Sequence, residues 1–282
     1  MKEFKDKVAV ITGAASGIGY GLAERCAKEG MKVVLADINE RYLRRAQKKM
    51  EKLGATFITI VIDVSKASDM EALAKKTLET YGAVHMLFNN AGIGNSKYTW
   101  NYTLKDWEWQ LGVCLWGVIH GVRIFVPIML KQDIECHIIN TASMEGLMSG
   151  SGPGGAVYGV SKHGIISLSE SLRNDLDLKG SKLKVSVICP GVVQTRIFLD
   201  ANRPEEFKND PDEIVEDTRV EKLLESFQGV TGETSVLKPE EVADITFQGI
   251  KEEKLYIITH KDSLMKRMVK ERFDEILNAF ND

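Results

Sequence analysis

Tyr158 and Lys162 stand four positions apart in a helix-period stretch, so both side chains share one helix face. A phenol with an ordinary pKa near ~10 is a poor base at neutral pH. A neighbouring ammonium favours the phenolate, and the pair then suits general acid–base work at a hydroxyl or a carbonyl. The spacing alone is weak evidence: this composition yields Tyr-x-x-x-Lys by chance about 0.65 times.

A second constellation is Thr12-Gly13-Ala14-Ala15-Ser16-Gly17-Ile18-Gly19, which follows the apolar run Val8–Ile11 and opens a helix-period segment. Gly13 would let the chain turn sharply, Gly17 would let backbone approach a pyrophosphate, and Gly19 would let the helix pack on the strand. The helix N-terminus then offers free N–H groups and a positive dipole end to phosphates. Asp37 lies 18 residues beyond Gly19, near the ~20-residue offset at which a carboxylate accepts hydrogen bonds from an adenosine ribose. It would also repel a 2′-phosphate, and no basic residue stands at Ala14, Ala15 or Ile38. The expected cofactor is NAD rather than NADP. A plain turn and a plain strand-end aspartate are the competing readings.

Positioning such groups requires strands that end near helix starts. Short β-rich runs alternate with helix-period segments, which predicts βα units around a parallel sheet with helices on both faces. Strands are expected at Val8–Thr12, Lys32–Asp37, Phe57–Asp63, His85–Asn89, Cys136–Thr141, Lys184–Cys189 and Leu255–Thr259. Helices are expected from the glycine loop to about Gly30, over Glu40–Leu53, after a Ser68…Glu71 capping box, from a Thr103 cap to about Lys131, over Ala156–Lys179, and over Leu264–Phe280. Residues 196–238 break the alternation with charges and interleaved Phe198, Leu199, Phe207, Leu223, Leu224 and Phe227; a substrate lid is expected there. No linker divides the 282 residues, so one domain is expected.

Composition narrows the function classes. The 37 basic and 40 acidic residues leave a net charge of −3, without the footprint of a nucleic-acid or anionic-membrane binder. Leu111–Leu130 is apolar enough to suggest a membrane span, but His120, Arg123 and Pro127 favour a buried core helix. Cys26, Cys114, Cys136 and Cys189 are widely spaced, and neither they nor the five histidines show metal-ligand spacing. Val8–Ile11 is too short for a signal-peptide core, and a reducing, cytoplasmic setting is expected. Arg41, Arg44 and Arg45 read as a solvated helix face. Trp107, Trp109 and Trp116 read as packing, and Trp100 could touch substrate.

Taken in order, Thr12-Gly-x-x-x-Gly-Ile-Gly19, Asn89-Asn90-Ala91-Gly92, Tyr158-x-x-x-Lys162 and Pro190-Gly191-x-Val193-x-Thr195 resemble the short-chain dehydrogenases/reductases of the classical type. The resemblance covers roughly residues 6–195 and the strand near 255. It implies a Rossmann-type doubly wound α/β sheet and an NAD(H)-dependent interconversion of a secondary alcohol and a ketone. By this resemblance Ser143 hydrogen-bonds the substrate oxygen, Tyr158 is the general acid–base, and Lys162 supports it while bonding the nicotinamide ribose. Asp63 and Val64 flank the adenine, Asn90 and Gly92 lie under the ribose, and Val193 and Thr195 hold the carboxamide, joining Gly13, Ser16, Gly17, Ile18, Gly19 and Asp37. Family members commonly form dimers or tetramers through two long helices, here near 104–131 and 156–179.

Two departures stand out. Ser143 and Tyr158 are 15 positions apart, a little more than the family usually shows, and residues 149–155 absorb the excess. Cys114 stands where the family usually has an asparagine that helps hold a relay water, and a thiol is the weaker hydrogen-bond partner. Turnover slowed by Cys114 is one expectation; a buried small residue is the other reading. An NAD-binding sensor or scaffold with little turnover is therefore the alternative function. An epimerase or dehydratase would carry a larger C-terminal region, and a methyltransferase would not need Tyr158 and Lys162. The substrate is expected to be a medium or large hydrophobic alcohol or ketone, from the apolar lid residues and loop tryptophans.

Overall fold

In β1 (Val8–Thr12) alternate side chains serve opposite cores, with Ala9 and Ile11 on one face of the sheet and Val8 and Val10 on the other. A strand buried on both faces reads as a continuous apolar run, which is why VAVI carries no polar alternation. The computed structural model describes residues 1–148, 155–197, 203–208 and 235–281. Seven parallel strands, β1, β2 (Lys32–Asp37), β3 (Thr56–Val61), β4 (Met86–Asn89), β5 (Cys136–Thr141), β6 (Leu183–Cys189) and β7 (Tyr256–Ile258), lie in the order β3-β2-β1-β4-β5-β6-β7. Register pairs Val10 with Val34 on one side and Leu87 on the other. The expected Rossmann-type doubly wound sheet is the observed one.

Helices α1 (Gly17–Lys28) and α2 (Glu40–Lys52) cover one face, and α3 (Ala67–Tyr81) the other. The fourth helical region is not one helix. It consists of α4 (Leu104–Leu111), a π-helical turn over Gly112–Trp116, and α5 (Gly117–Gln132). Thr103 caps α4 as expected, in a capping box closed by Asp106. The run Leu104–Gln132 is long and apolar enough to cross a membrane, with a mean hydropathy of 1.9 in its most apolar window. Its inner side (Val118, Gly121, Phe125, Met129) is buried, with Phe125 and Met129 in the core against Leu87 and Ile138. The outer side is not: Trp116 is 51% exposed. The buried-core expectation holds for one face only.

The expected Ser68…Glu71 capping box does not form. Lys66 occupies the cap position of α3, and the Asp69 carboxylate instead accepts the backbone N–H of Asp63 at 2.9 Å. Asp69 outcompetes the box because the β3–α3 turn brings an orphan donor directly to it.

After α6 (Ala156–Leu178) and β6, the chain forms α7 (Pro239–Lys251), an element absent from the expectations above. Its signals are Pro239 at the first helical position, Glu240 and Glu241 in the first turn, and buried Val242, Ala243, Thr246, Phe247 and Ile250 at helical spacing. Phe247 packs between Phe4 and Phe88, at centroid distances of 5.0 and 6.4 Å. Finally α8 (Ser263–Asn278) follows β7, capped by Asp262. Most of the expected lid over 196–238 lies outside the described residues. The parts within them are tied down: Leu237 bonds Val192 and Gln194, and Arg203 reaches α4.

Candidate active site

The strand order reverses direction of growth between β1 and β4, the switch point beyond whose carboxyl ends a doubly wound sheet leaves its crevice. Thr12 stitches the two strands there. Its Oγ1 accepts the N–H groups of Asn90 (2.9 Å) and Ala91 (3.1 Å), and Asn90 Nδ2 donates to the Thr12 carbonyl at 3.0 Å. Gly13 turns the chain with φ +64°. A Cβ on Gly19 would lie 2.1 Å from the Gly13 carbonyl oxygen and 2.6 Å from Asn90 Nδ2. The glycine loop and the Asn-Asn-Ala-Gly segment are thus parts of one crossing.

Ser16 caps α1 with no side-chain bond to the helix, and the first turn carries no acidic residue. Free N–H groups, a free hydroxyl and no competing carboxylate make an anion cradle. Asp37 braces it: Oδ2 accepts the Ala15 N–H at 3.0 Å and Oδ1 the Asn39 N–H at 2.9 Å. Burial raises the Asp37 pKa, and these backbone bonds oppose the rise. Arg44 pairs with Glu40 on the exposed face of α2, and Arg45 lies over the Tyr42 ring. Asp63 accepts from Ser65 N (3.0 Å) and Oγ (2.7 Å) beside buried Val64.

Across the crevice, α6 brings Tyr158 and Lys162 to the end of β5. Lys162 is buried at 2% exposure, and its Nζ donates to the Thr141 carbonyl at 3.0 Å and lies 5.1 Å from the Tyr158 ring centroid. Burial lowers the Lys162 pKa, opposed by Cys114 and Glu145. Ser143, directly after β5, hydrogen-bonds the Tyr158 phenol and accepts the Glu145 N–H at 3.2 Å. The expected downward pull of Lys162 on the phenol is not what dominates here. Burial pushes the Tyr158 pKa up, the Glu145 carboxylate and Cys114 add to the rise, and only the Ser143 bond lowers it.

The segment after β6 closes the site from above. A Cβ on Gly17 would come 3.2 Å from Thr195 Cγ2, so Thr195 abuts the phosphate loop, while Val193 bridges to Leu237. Gly92 faces Lys162, a Cβ there falling 3.8 Å from Nζ. The structure therefore gathers Ser143, Tyr158, Lys162, Gly13, Gly17, Gly19, Asn90, Gly92 and Thr195 around one crevice. Asp37 stands at the end of β2, and Asp63 and Val64 just beyond the end of β3. Residues 149–154, within the stretch that absorbs the Ser143–Tyr158 spacing, lie outside the described residues.

Several participants had no sequence signal strong enough to single them out. Thr12 and Thr141 act through strand-end geometry. Asp106 is fully buried in a cluster, 2.6 Å from Lys97 Nζ and 2.8 Å from Arg203. Its capping role was legible; its cations arrive from segments 9 residues before it and 97 after it. Arg203 also lies over the Trp109 ring, while Trp100 stacks on Tyr98 at 80% exposure. His163 bonds back to the Gly159 carbonyl one helical turn earlier, at 2.9 Å.

A parallel sheet with its switch point at β1/β4, a glycine loop at the start of α1 and a Ser-Tyr-Lys cluster make a Rossmann-type site of the kind oxidoreductases use. The short chain dehydrogenase family model matches residues 7–206, and the chain belongs to that family. It is 32% identical to the CLA biosynthesis dehydrogenase/reductase of Lactiplantibacillus plantarum, over 93% of this chain and 91% of the relative. It is 30% identical to the 1-deoxy-11-beta-hydroxypentalenate dehydrogenase of Streptomyces arenae, over 96% and 87%. Among solved structures, a short chain dehydrogenase/reductase from Burkholderia phymatum in complex with NAD is similar at a TM-score of 0.90 and 41% identity, covering 99% of this chain and 97% of that one.

Proposed function

We propose that this oxidoreductase interconverts a secondary alcohol and a ketone with NAD(H), using Tyr158 as general acid–base. The observation that carries the reading is the convergence of Ser143, Tyr158 and Lys162 at the end of β5, facing a phosphate cradle across one crevice. The cradle fits a dinucleotide: α1 presents an uncapped Ser16 and unopposed N–H groups, and Asp37 disfavours a 2′-phosphate. The nicotinamide, when bound, accepts or returns the hydride.

The chain's own residues handle the oxygen and its proton. Ser143 donates to the substrate oxygen and orients it. Tyr158 gives its phenolic proton to a ketone oxygen, or takes one from an alcohol. Lys162, anchored on the Thr141 carbonyl, directs its remaining N–H groups toward the phenol and the ribose hydroxyls. Asp63, Val64, Asn90, Gly92, Val193 and Thr195 complete the cofactor contacts.

Relatives whose names concern hydroxypentalenate and CLA biosynthesis support a predominantly hydrocarbon substrate. Exposed Leu104, Trp116 and Val160 on the long helices support a homodimer or homotetramer. The test is NADH formation from NAD across secondary alcohols, including steroids, hydroxy acids and polyols, with NADP in parallel. Turnover with NAD is expected, and lost in Tyr158→Phe. Tight NADH binding with no turnover on any substrate would instead favour an NAD-binding sensor.

A further inference from the structure

The loop that leaves β6 is proposed above to hold the nicotinamide carboxamide through Val193 and Thr195. It starts at Pro190-Gly191, and a side chain from another part of the chain grips it there. His260, just past β7, is buried at 2% exposure. Its Nδ1 accepts the Gly191 N–H at 3.0 Å, and its Nε2 stands 3.0 Å from the Val192 carbonyl oxygen. Thr259 Oγ1 lies 2.7 Å from the same Nδ1.

These contacts fix the imidazole. Nδ1 faces the Gly191 N–H, which can only donate, so it carries no proton. The ring proton is therefore on Nε2 and is donated to the Val192 carbonyl. Both backbone groups are consecutive in the loop, and the ring lies flat enough on it that a Cβ at Gly191 would fall 2.8 Å from its Cγ. Two hydrogen bonds from one rigid ring fix the peptides on either side of the Gly191–Val192 step, the second of which leads into Val193.

We infer that His260 is a positioning residue for the cofactor: as the Nε2–H tautomer it holds the Pro190–Gly191 and Val192–Val193 peptides so that Val193 and Thr195 meet the nicotinamide. The inference rests on the proposed role of that loop. It goes beyond that role by making the stretch after β7, through one imidazole, a determinant of cofactor affinity.

The test compares NADH dissociation constants, and KM for NAD against kcat, in wild type, His260→Asn and His260→Phe. Phe keeps a ring and loses both hydrogen bonds; Asn is smaller and keeps an acceptor for the Gly191 N–H. We expect Phe to weaken NADH binding about 10-fold, with KM for NAD rising in parallel and kcat at saturation nearly unchanged. Asn is expected to stay within about threefold of wild type. A role in packing alone reverses the order, Phe near wild type and Asn worse, and that result would overturn the inference. Nitrogen-15 NMR of the wild-type imidazole needs no variant to fold: an unprotonated Nδ1 and a protonated Nε2 are expected, and the opposite tautomer overturns the inference. Wild type that binds no NADH would refute the cofactor reading itself, whereas wild-type binding with an unaffected Phe variant would refute only the role of His260.

Discussion

Cys114 and Ile93 hold each other by a reciprocal pair of bonds: the Ile93 N–H donates to Sγ at 3.4 Å, and the thiol donates back to the Ile93 carbonyl at 3.2 Å. The sulfur sits in the π-helical turn between α4 and α5 and pins the chain one residue past Gly92, beside Lys162. Cys114 is therefore more than a small apolar filler. It does for one loop what an amide side chain could do, with weaker bonds.

Cys114→Ala leaves two partly buried backbone groups unpaired and is expected to cost about 1–2 kcal/mol in urea unfolding. Cys114→Asn restores a donor and an acceptor and is expected to stay near wild type. If the thiol slows proton exchange at Lys162, the Asn variant turns over faster under proton-transfer-limited conditions. Equal rates would remove that role from the sulfur.

The raised pKa of Tyr158 has a sign that kinetics can read. A phenol favoured in its protonated form is ready to donate to a ketone at neutral pH. The base form needed for alcohol oxidation grows about tenfold per pH unit below the pKa. Oxidation, followed as kcat/KM, should climb with pH from 6 to 9 with a slope near one on logarithmic axes, while reduction stays flat (~1 and ~0 respectively). An oxidation profile already level at pH 7 would contradict the assignment. Tyr158→Phe should lower either rate by about 10² to 10⁴.

On the proposed reading, Asp37 is the point at which cofactor choice is set. Asp37→Asn removes the charge while one oxygen continues to accept a backbone N–H. The ratio of kcat/KM for NAD over NADP should fall at least about fivefold, since one charge against a phosphate at contact is worth ~1–4 kcal/mol. An unchanged ratio would move the discrimination elsewhere.

Asp106 balances two cations inside the protein. Burial raises its pKa, but the Lys97 ammonium and the Thr103 N–H outweigh this, with Arg203 adding to them, and hold the carboxyl below its ordinary value. Removing it leaves Lys97 and Arg203 without their shared counter-charge, so Asp106→Asn should cost about 3–5 kcal/mol at pH 7. A depressed folded pKa contributes stability that is present above the unfolded value of ~3.9 and is lost as pH falls below it. The gap between wild type and variant, measured by denaturant unfolding, should begin to narrow as pH falls toward about 4 and keep narrowing as pH drops through the depressed folded value. A gap at pH 3 as large as at pH 7 would show that shape rather than charge holds the cluster.

The order of β-runs and glycines made the fold legible, because a parallel sheet needs each strand buried on both sides and each crossover long enough for a helix. The chemistry was legible where it is local. Tyr158 and Lys162 share a helix face at four-residue spacing, and Gly13–Gly19 lie on one turn. What escaped was set by contacts between distant segments. Helix α7 follows the sequence segment in which the alternation of strand and helix signals breaks down, and went unread, although Pro239 and the paired glutamates mark its start. The Ser68 box failed because Asp69 met a donor from the end of β3.

From sequence alone came the class of chemistry and the residues proposed to perform it, since local spacing fixes which side chains share a face and which backbone turns can cradle phosphate. Tertiary structure alone decided how those groups are held. The carbonyl of Thr141 anchors Lys162, Ile93 receives the Cys114 thiol, two cations converge on Asp106, and His260 grips Gly191 from 69 residues away. Each of these depends on a hydrogen bond or ion pair that closes only when separate strand ends are brought together, and no periodicity in the chain encodes such a meeting.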